Sequence, residues 1–433
     1  MSENPSLPLT NAPCLAVDLG TTTIAASIID GETGKRLALT TALNPQRPYG
    51  ADVISRVAAA AGSETLRHEM SRLINRQLED LAAAMLEDIG LAAGALKKVA
   101  IAGNPAMEHL LLDLPVDTLA GIPFRPLFSA GKVSDTSVLG WADHAEAYIF
   151  PVPGGFVGGD LVAFLYGQGL GQISAAEFPR LFLDLGTNAE IALHVGEKVY
   201  VTSAAAGPAF EGGNLSCGMP ALAGAITSVS IDHERVVITT LDNASPQGLC
   251  GTGALTLIAA LLAENVIDAS GMLLEPSKIS SNLANRIKDV NGVRAFVVYR
   301  DASREILLTQ EDIRQIQFAK AAIRAGIEML VARGGMEFSD ICELVITGSF
   351  GERLGTQMLQ VLDIVPPGDC RPAYVLQGPL QGAERYLCNV DGSDTPDTLM
   401  GKLTVVPLSG NPRFEANFIK FMDFCSNCYT EKI

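Results

Sequence analysis

The sequence predicts an α/β fold of two domains, with mixed sheets flanked by helices. Three observations carry this expectation. Apolar strand-like runs alternate with longer amphipathic helical runs, two of the strand runs fold back as hairpins, and the two hairpins share one motif. The 433 residues suit two domains, and a 48% hydrophobic content can fill a core in each.

The elements follow in chain order. LAVDLGTTTIAASII, from Leu15 to Ile29, reads as strand, turn and strand, with Gly20 marking the turn. Glu64 to Ile89 predicts a long amphipathic helix with Leu66, Met70, Leu73, Leu81 and Met85 on helical spacings. Lys98 to Ala102 predicts a short strand ending at Gly103-Asn104-Pro105, and frequent Gly and Pro then break any long period from Pro115 to Pro153. The Pro153-to-Asp160 stretch opens a helix to about Tyr166, with Asp160 expected as its N-cap or as a contact to a Mg²⁺-bound water.

At Leu181 the opening motif returns as LFLDLGTNAEIALHV. The two Asp-Leu-Gly-Thr turns carry their aspartates at 18 and 184, a separation that suits a duplicated domain and is far too long for a solenoid repeat. Beyond it, Cys250-Gly251-Thr252-Gly253 runs into an apolar helix from Ala254 to Glu264, and Thr309 to Asp312 resembles a capping box before a helix carrying Ile313, Ile316, Ile323, Ile327 and Leu330. A strand from Glu343 to Ile346 meets Thr347-Gly348-Ser349-Phe350-Gly351.

The paired turns suggest chemistry. A backbone turn cradles phosphate oxygens where glycine leaves the approach open, and neighbouring Thr hydroxyls add neutral donors. An Asp at the strand end repels phosphate directly but holds Mg²⁺ through water or orients an attacking water. Asp18 with Gly20, Thr21, Thr22 and Thr23, and Asp184 with Gly186, Thr187 and Asn188, are therefore expected to serve one nucleotide polyphosphate, with Asp18 and Asp184 on the metal side. Either turn alone reads better as a plain hairpin turn; the pair carries the argument. Glu190 has two readings, a carboxylate polarising a water or a brace for the turn. Gly348, Ser349 and Gly351 are small enough to let a nucleoside lie against the backbone. No Gly-x-x-x-x-Gly-Lys-Ser/Thr occurs, which excludes a P-loop.

Two such hairpins followed by a late Thr-Gly-Ser-Phe-Gly resemble the phosphate and adenosine motifs of the acetate and sugar kinase, heat-shock 70 and actin superfamily. More narrowly, the chain resembles the reductive activators of corrinoid-dependent enzymes. That likeness spans about residues 13 to 424: Asp18 to Thr23, Ala42-Leu-Asn-Pro-Gln46 with Tyr49 to Arg56, Gly103-Asn-Pro105, Phe156 to Asp160, Leu183 to Glu190, Gly212-Gly213, Cys250 to Gly253, Gln317 to Lys320 and Gly348 to Gly351. The resemblance implies a duplicated, ribonuclease H-like (actin-like) ATPase fold with subdomains at 13–178 and 179–420 and a C-terminal tail at 421–433. It adds Gly212, Gly213, Gly251 and Gly253 to the nucleotide residues.

The same resemblance implies an activity. ATP binding and hydrolysis, with Mg²⁺ in the cleft between domains, drive uphill electron transfer that returns a corrinoid from Co(II) to Co(I), and the partner is a methyltransferase-type corrinoid protein. A homodimer fits the resemblance. Members usually carry an iron–sulfur domain, whereas here Cys14, Cys217, Cys250, Cys342, Cys370 and Cys388 are scattered and only Cys425 and Cys428 form a pair. No cluster is expected within this chain, and a separate ferredoxin-like donor is. Cys425 and Cys428 read as redox-active, as metal ligands, as the remnant of a lost cluster-binding segment or as two free thiols. Three alternatives stay open: a small-molecule kinase on the same fold, a non-redox reactivase that ejects damaged cofactor, and an ATP-sensing module.

Composition sets the remaining limits. With 31 Lys+Arg against 48 Asp+Glu the net charge is −17, which argues against nucleic acid as a partner. The start is polar with no apolar core of a signal, and no stretch approaches a spanning length, so a soluble cytoplasmic protein is expected. Five histidines show no paired spacing, His109 is expected as an ordinary helix residue, and nothing suggests a zinc site.

Overall fold

The computed structural model describes residues 12–50, 52–172, 178–348, 351–389 and 394–424. The chain forms two compact units. The first takes residues up to 176 together with 197–199 and 376–405, and the second takes 177–196, 200–375 and the residues from 406 onward. No helix among the described residues is long and apolar enough to cross a membrane.

The first unit is built on six strands: β1 (Pro13–Leu19), β2 (Thr23–Asp30), β3 (Arg36–Leu43), β4 (Lys98–Gly103), β5 (Lys132–Asp135) and β6 (Glu146–Ile149), in the order β3-β2-β1-β4-β6-β5. β1 runs antiparallel to β2 and parallel to β4, so the sheet is mixed. Leu15, Val17 and Leu19 are buried, as are Ala16 and Cys14 on the other face, which marks β1 as a central strand covered on both sides. The helices α1 (Val53–Gly62) and α2 (Glu64–Asp88) follow β3. Ser63 caps α2 by accepting the Leu66 N–H, and Met70, Ile74, Leu78, Ala82 and Met85 form the stripe that α2 buries. α3 (Pro105–Leu111) leaves the end of β4, α4 (Asp117–Ala120) is a single turn, and α5 (Gly159–Gly167) is fully apolar apart from Asp160. The helix Gly378–Cys388 returns to this unit and packs on α5, its Glu384 bound in a fork by Arg36 of β3.

In the second unit, β7 (Arg180–Leu185), β8 (Ala189–Val195) and β9 (Lys198–Ala204) form an antiparallel meander. Two three-stranded sheets follow: β10 (Ala225–Asp232), β11 (Arg235–Thr240) and β12 (Gly248–Leu249), then β13 (Ile287–Val290), β14 (Val293–Arg300) and β15 (Glu305–Thr309). β16 (Glu343–Thr347) pairs in parallel with both β7 and β17 (Arg371–Tyr374), giving the succession β17-β16-β7-β8-β9. The helices are α6 (Gly251–Ala263), α7 (Gln310–Gly334) and α8 (Gly351–Val361). α7 begins with the capping box expected of Thr309 and Asp312, both halves of which form, and it ends at Gly335 in the left-handed conformation. Its Ile316, Ile323, Ile327 and Leu330 share one core with Leu183, Ile191, Leu255 and Ile258.

The duplication read from the motif extends to strand pairing. In each unit an aspartate sits one residue before the end of the first hairpin strand, and that strand also pairs in parallel with a later one: Asp18 with Ala102, Asp184 with Thr347.

Candidate nucleotide site

In the first unit the β1–β2 turn is held from two sides. The Asn44 Nδ2 donates to the Gly20 carbonyl at 2.9 Å, and the Asn104 Nδ2 donates to the Thr21 Oγ1 at 2.9 Å. Gly20 has no alternative at its position, since a Cβ there would lie 2.4 Å from the Thr23 carbonyl oxygen. Asn44 also closes its own loop, its N–H reaching the Thr22 carbonyl and its Oδ1 accepting from Gln46. Asn104 caps α3 through the Met107 N–H. Thr21 and Thr22 are half-buried and Thr23 is exposed. Held this way, the turn can present hydroxyls and backbone N–H groups to an anion without first being ordered.

Behind this turn lie two carboxyl groups. Glu108 is fully buried and takes the Gly103 N–H at 3.0 Å. Burial first, and then the charge of Asp160, hold its carboxyl well above the usual range. Burial likewise raises Asp160, against the pull of the Leu161 N–H. The N-cap of α5 is Gly158 and not Asp160, because Asp160 lies inside the first turn and its Oδ1 accepts from Leu161, the next residue. His109 is a helix residue as expected: one ring nitrogen meets the Pro105 carbonyl, the other accepts from Leu127, and burial depresses its pKa.

In the second unit Asp184 lies one residue before the end of β7, and the Gly186 N–H meets the Asn188 carbonyl at 3.2 Å. The Thr187 hydroxyl donates to Glu211 at 2.8 Å. Glu190 lies on β8 directly opposite Asp184 and accepts from the Ser203 hydroxyl at 3.1 Å. Gly348 is brought onto the same strand end. Its φ of +95° suits glycine, and a Cβ there would lie 2.5 Å from the Leu185 carbonyl oxygen and 3.0 Å from the Asp184 Oδ1. Gly212 and Gly213 follow Glu211 in the turn that closes on the Ala209 and Pro208 carbonyls. Gly251 and Gly253 open α6 and are buried where the helix packs on β10. Gly351 begins α8, while Ser349, Cys425 and Cys428 lie outside the described residues.

The structure thus groups Asp184, Glu190, Thr187, Gly186 and Gly348, and separately groups Asp18, Gly20, Thr21 and Thr22. Asn44, Asn104 and Glu211 are supporting residues that sequence reasoning did not assign to the turns. For Asn104 and Glu211 the signal was a place beside a glycine motif, and for Asn44 a place in the Ala42 to Gln46 stretch. For Mg²⁺, the donor chemistry fits: Asp18 and Asp184 are hard oxygen ligands at strand ends, and a Mg²⁺ that keeps most of its waters needs one or two carboxylates plus phosphates. Among the described residues no group of three or more metal-ligating side chains occurs.

Twin strand–turn–strand hairpins ending in Asp, with a late glycine turn on the second, define an actin-like ATPase fold. Comparison with known proteins makes this specific. Residues 14–172 match the model of the RACo middle region, and residues 179–430 match that of the C-terminal domain of RACo, the ASKHA domain. The chain belongs to the RACo family. It is 30% identical over 428 residues to the corrinoid activation enzyme RamQ of Eubacterium limosum, covering 95% of this chain and 70% of that one. It is 24% identical over 386 residues to the [Co(II) methylated amine-specific corrinoid protein] reductase of Methanosarcina barkeri, covering 81% and 65%. Among solved structures it matches a reductive activator for corrinoid, iron–sulfur protein with a TM-score of 0.84 at 26% identity, covering 96% and 67%. The chain spans about two-thirds of the length of these relatives.

Proposed function

We propose that this chain is the ATP-driven part of a corrinoid reductive activator. It binds ATP with Mg²⁺, hydrolyses it to ADP and phosphate, and couples that cycle to one-electron reduction of a protein-bound corrinoid from Co(II) to Co(I). The electron comes from a separate reduced ferredoxin-like iron–sulfur protein. The carrying observation is the pair of Asp-ended hairpins in a chain of the RACo family.

The residues divide the work. Thr21, Thr22, Thr23 and Asn188 offer donors to the phosphates, and Thr187, whose hydroxyl proton goes to Glu211, offers its backbone N–H, with Gly20, Gly186, Gly212 and Gly213 keeping the backbone approach open. Asn104 and Glu211 hold the hydroxyls of Thr21 and Thr187 in place. Asp18 and Asp184 would hold Mg²⁺ through its waters, and the ion would neutralise phosphate charge. Glu190 polarises the attacking water from the face it shares with Asp184. Gly251 and Gly253 carry the packing of α6 under this site, and Gly348, Ser349 and Gly351 take the nucleoside side. Binding energy of ATP then favours one state of the activator that the corrinoid protein recognises, and hydrolysis releases it. A homodimer and a cytoplasmic setting complete the proposal.

The test is ATP hydrolysis by the purified protein with and without a Co(II) corrinoid methyl-transfer protein and reduced ferredoxin, with the cobalt spectrum followed throughout. Co(I) formed only with ATP and ferredoxin present supports the reading. Cobalamin released without reduction identifies a non-redox reactivase instead.

A further inference from the structure

Among the described residues Arg56 is the largest wholly buried side chain, at 0% exposure. Its Nε donates to the Gly50 carbonyl at 2.9 Å and its Nη1 points at the Met107 sulfur at 3.6 Å. Its Nη2 is buried and has no hydrogen-bond partner among the described residues, and no carboxylate there forms an ion pair with it. A guanidinium stays charged in such a place: burial, helped by the nearby charge of Arg47, pushes it down only to about 10. Asp52 favours the charged guanidinium from nearby but makes no ion pair with it, its carboxylate capping α1 through the N–H and hydroxyl of Ser55. A buried cation without a contact ion pair is costly, and further negative charge brought by a ligand would offset that cost.

The place of that charge is defined by Met107. Asn44 meets the same sulfur at 3.5 Å with the amide nitrogen that holds the Gly20 carbonyl. Arg56 is therefore linked to the β1–β2 turn through two side chains, Met107 and Asn44. We propose that Arg56 is a positioning residue for ATP, a buried positive charge without an ion-pair partner, set behind the phosphate-binding turn, that favours ligands in proportion to their phosphate charge. The inference rests on the nucleotide reading above. It assigns to the Tyr49 to Arg56 segment an electrostatic task that the turn's neutral hydroxyls and N–H groups do not perform. In a low-dielectric setting such a charge acts without touching the ligand.

The experiment is calorimetric binding of ATP, ADP and AMP to the full chain and to Arg56→Met and Arg56→Lys, with folding followed by thermal unfolding. Arg56→Met should weaken ATP by about tenfold or more, ADP by less and AMP by under about twofold, and Arg56→Lys should keep ATP within about threefold of the parent. An equal loss for all three ligands, in either variant, overturns the inference, because a structural role does not read phosphate number. Should Arg56→Met fail to fold, the Lys variant alone decides: retained ATP affinity supports the charge, and loss of it overturns it. A parent chain that binds none of the three nucleotides defeats the nucleotide reading itself. A parent that binds ATP beside variants without the gradient defeats only the role of Arg56.

Discussion

Asp184 and Glu190 stand directly across the β7–β8 hairpin from each other, so their side chains share one face of the sheet. Two carboxylates at that spacing repel unless a cation or a proton lies near, and Glu190 is steadied by the Ser203 hydroxyl at 3.1 Å. The pairing separates the two readings of Glu190. If it polarises the attacking water, Glu190→Gln should lower kcat for ATP hydrolysis by about 100-fold while leaving KM within about threefold, the size expected for loss of one acid–base group. If it only braces the turn, Gln keeps the hydrogen bond and kcat hardly moves. Steady-state hydrolysis on the two proteins decides.

Asn104 performs two tasks at once, capping α3 through Met107 and holding the Thr21 hydroxyl. Asn104→Ala should cost about 1 kcal/mol of stability through the lost cap. It should also raise the KM for ATP by about tenfold, because Thr21 loses the partner that orients it. Asn104→Asp keeps the cap acceptor but replaces the donor with a charge. It should retain the thermal stability and show the same or a greater KM. Equal KM values for the parent and both variants would remove Asn104 from the site.

What was legible in the sequence is what is contiguous. The hairpins at Asp18 and Asp184 show in the pattern because strand, glycine turn and strand follow one another within fifteen or so residues. The capping box at Thr309 is local in the same way. Asn44 and Glu211 were not legible as partners of Gly20 and Thr187, because each reaches its turn across some twenty residues and only the folded sheet brings them together. Asp160 illustrates a different limit. A residue in the first turn of a helix and one at its N-cap read alike in sequence, and the register of α5 is set by Gly158 taking the extended cap conformation. The return of the Gly378–Cys388 helix to the first unit was invisible, since its partners Arg36 and Ser27 lie hundreds of residues upstream.

Glu108 yields a pH prediction. Its carboxyl is raised by burial and by Asp160, so the folded chain keeps a proton that the unfolded chain, near the ordinary glutamate value, gives up. Wherever the folded state holds the extra proton, stability falls as pH rises. The contribution is fully present below about pH 4.3, the ordinary glutamate value, and declines above it until the folded group also ionises. Glu108→Gln removes that decline while keeping an acceptor for the Gly103 N–H. Thermal unfolding across pH should therefore show the variant gaining on the parent from about pH 5 upward, by about 1.4 kcal/mol for each unit by which the folded group is raised. Parallel curves would show that Glu108 ionises normally.

Gly348 and Gly335 offer a matched pair for the last test. Both hold positive φ, +95° and +69°, yet a Cβ on Gly335 meets nothing within 4 Å, whereas one on Gly348 collides with the Leu185 carbonyl and presses on the Asp184 carboxylate. Alanine at either position pays backbone strain of about 1 kcal/mol, through the same crowding that disfavours left-handed L-residues. Only at Gly348 must the strand end carrying Asp184 also move. Gly335→Ala should accordingly lose stability and keep ATP hydrolysis per folded molecule. Gly348→Ala should lose hydrolysis by about 100-fold or more, since a displacement of about 1 Å at a positioned group has that effect. Unfolding curves and hydrolysis rates on both variants separate the two costs, and equal activity in the two would mean that Asp184 can shift without consequence for the chemistry.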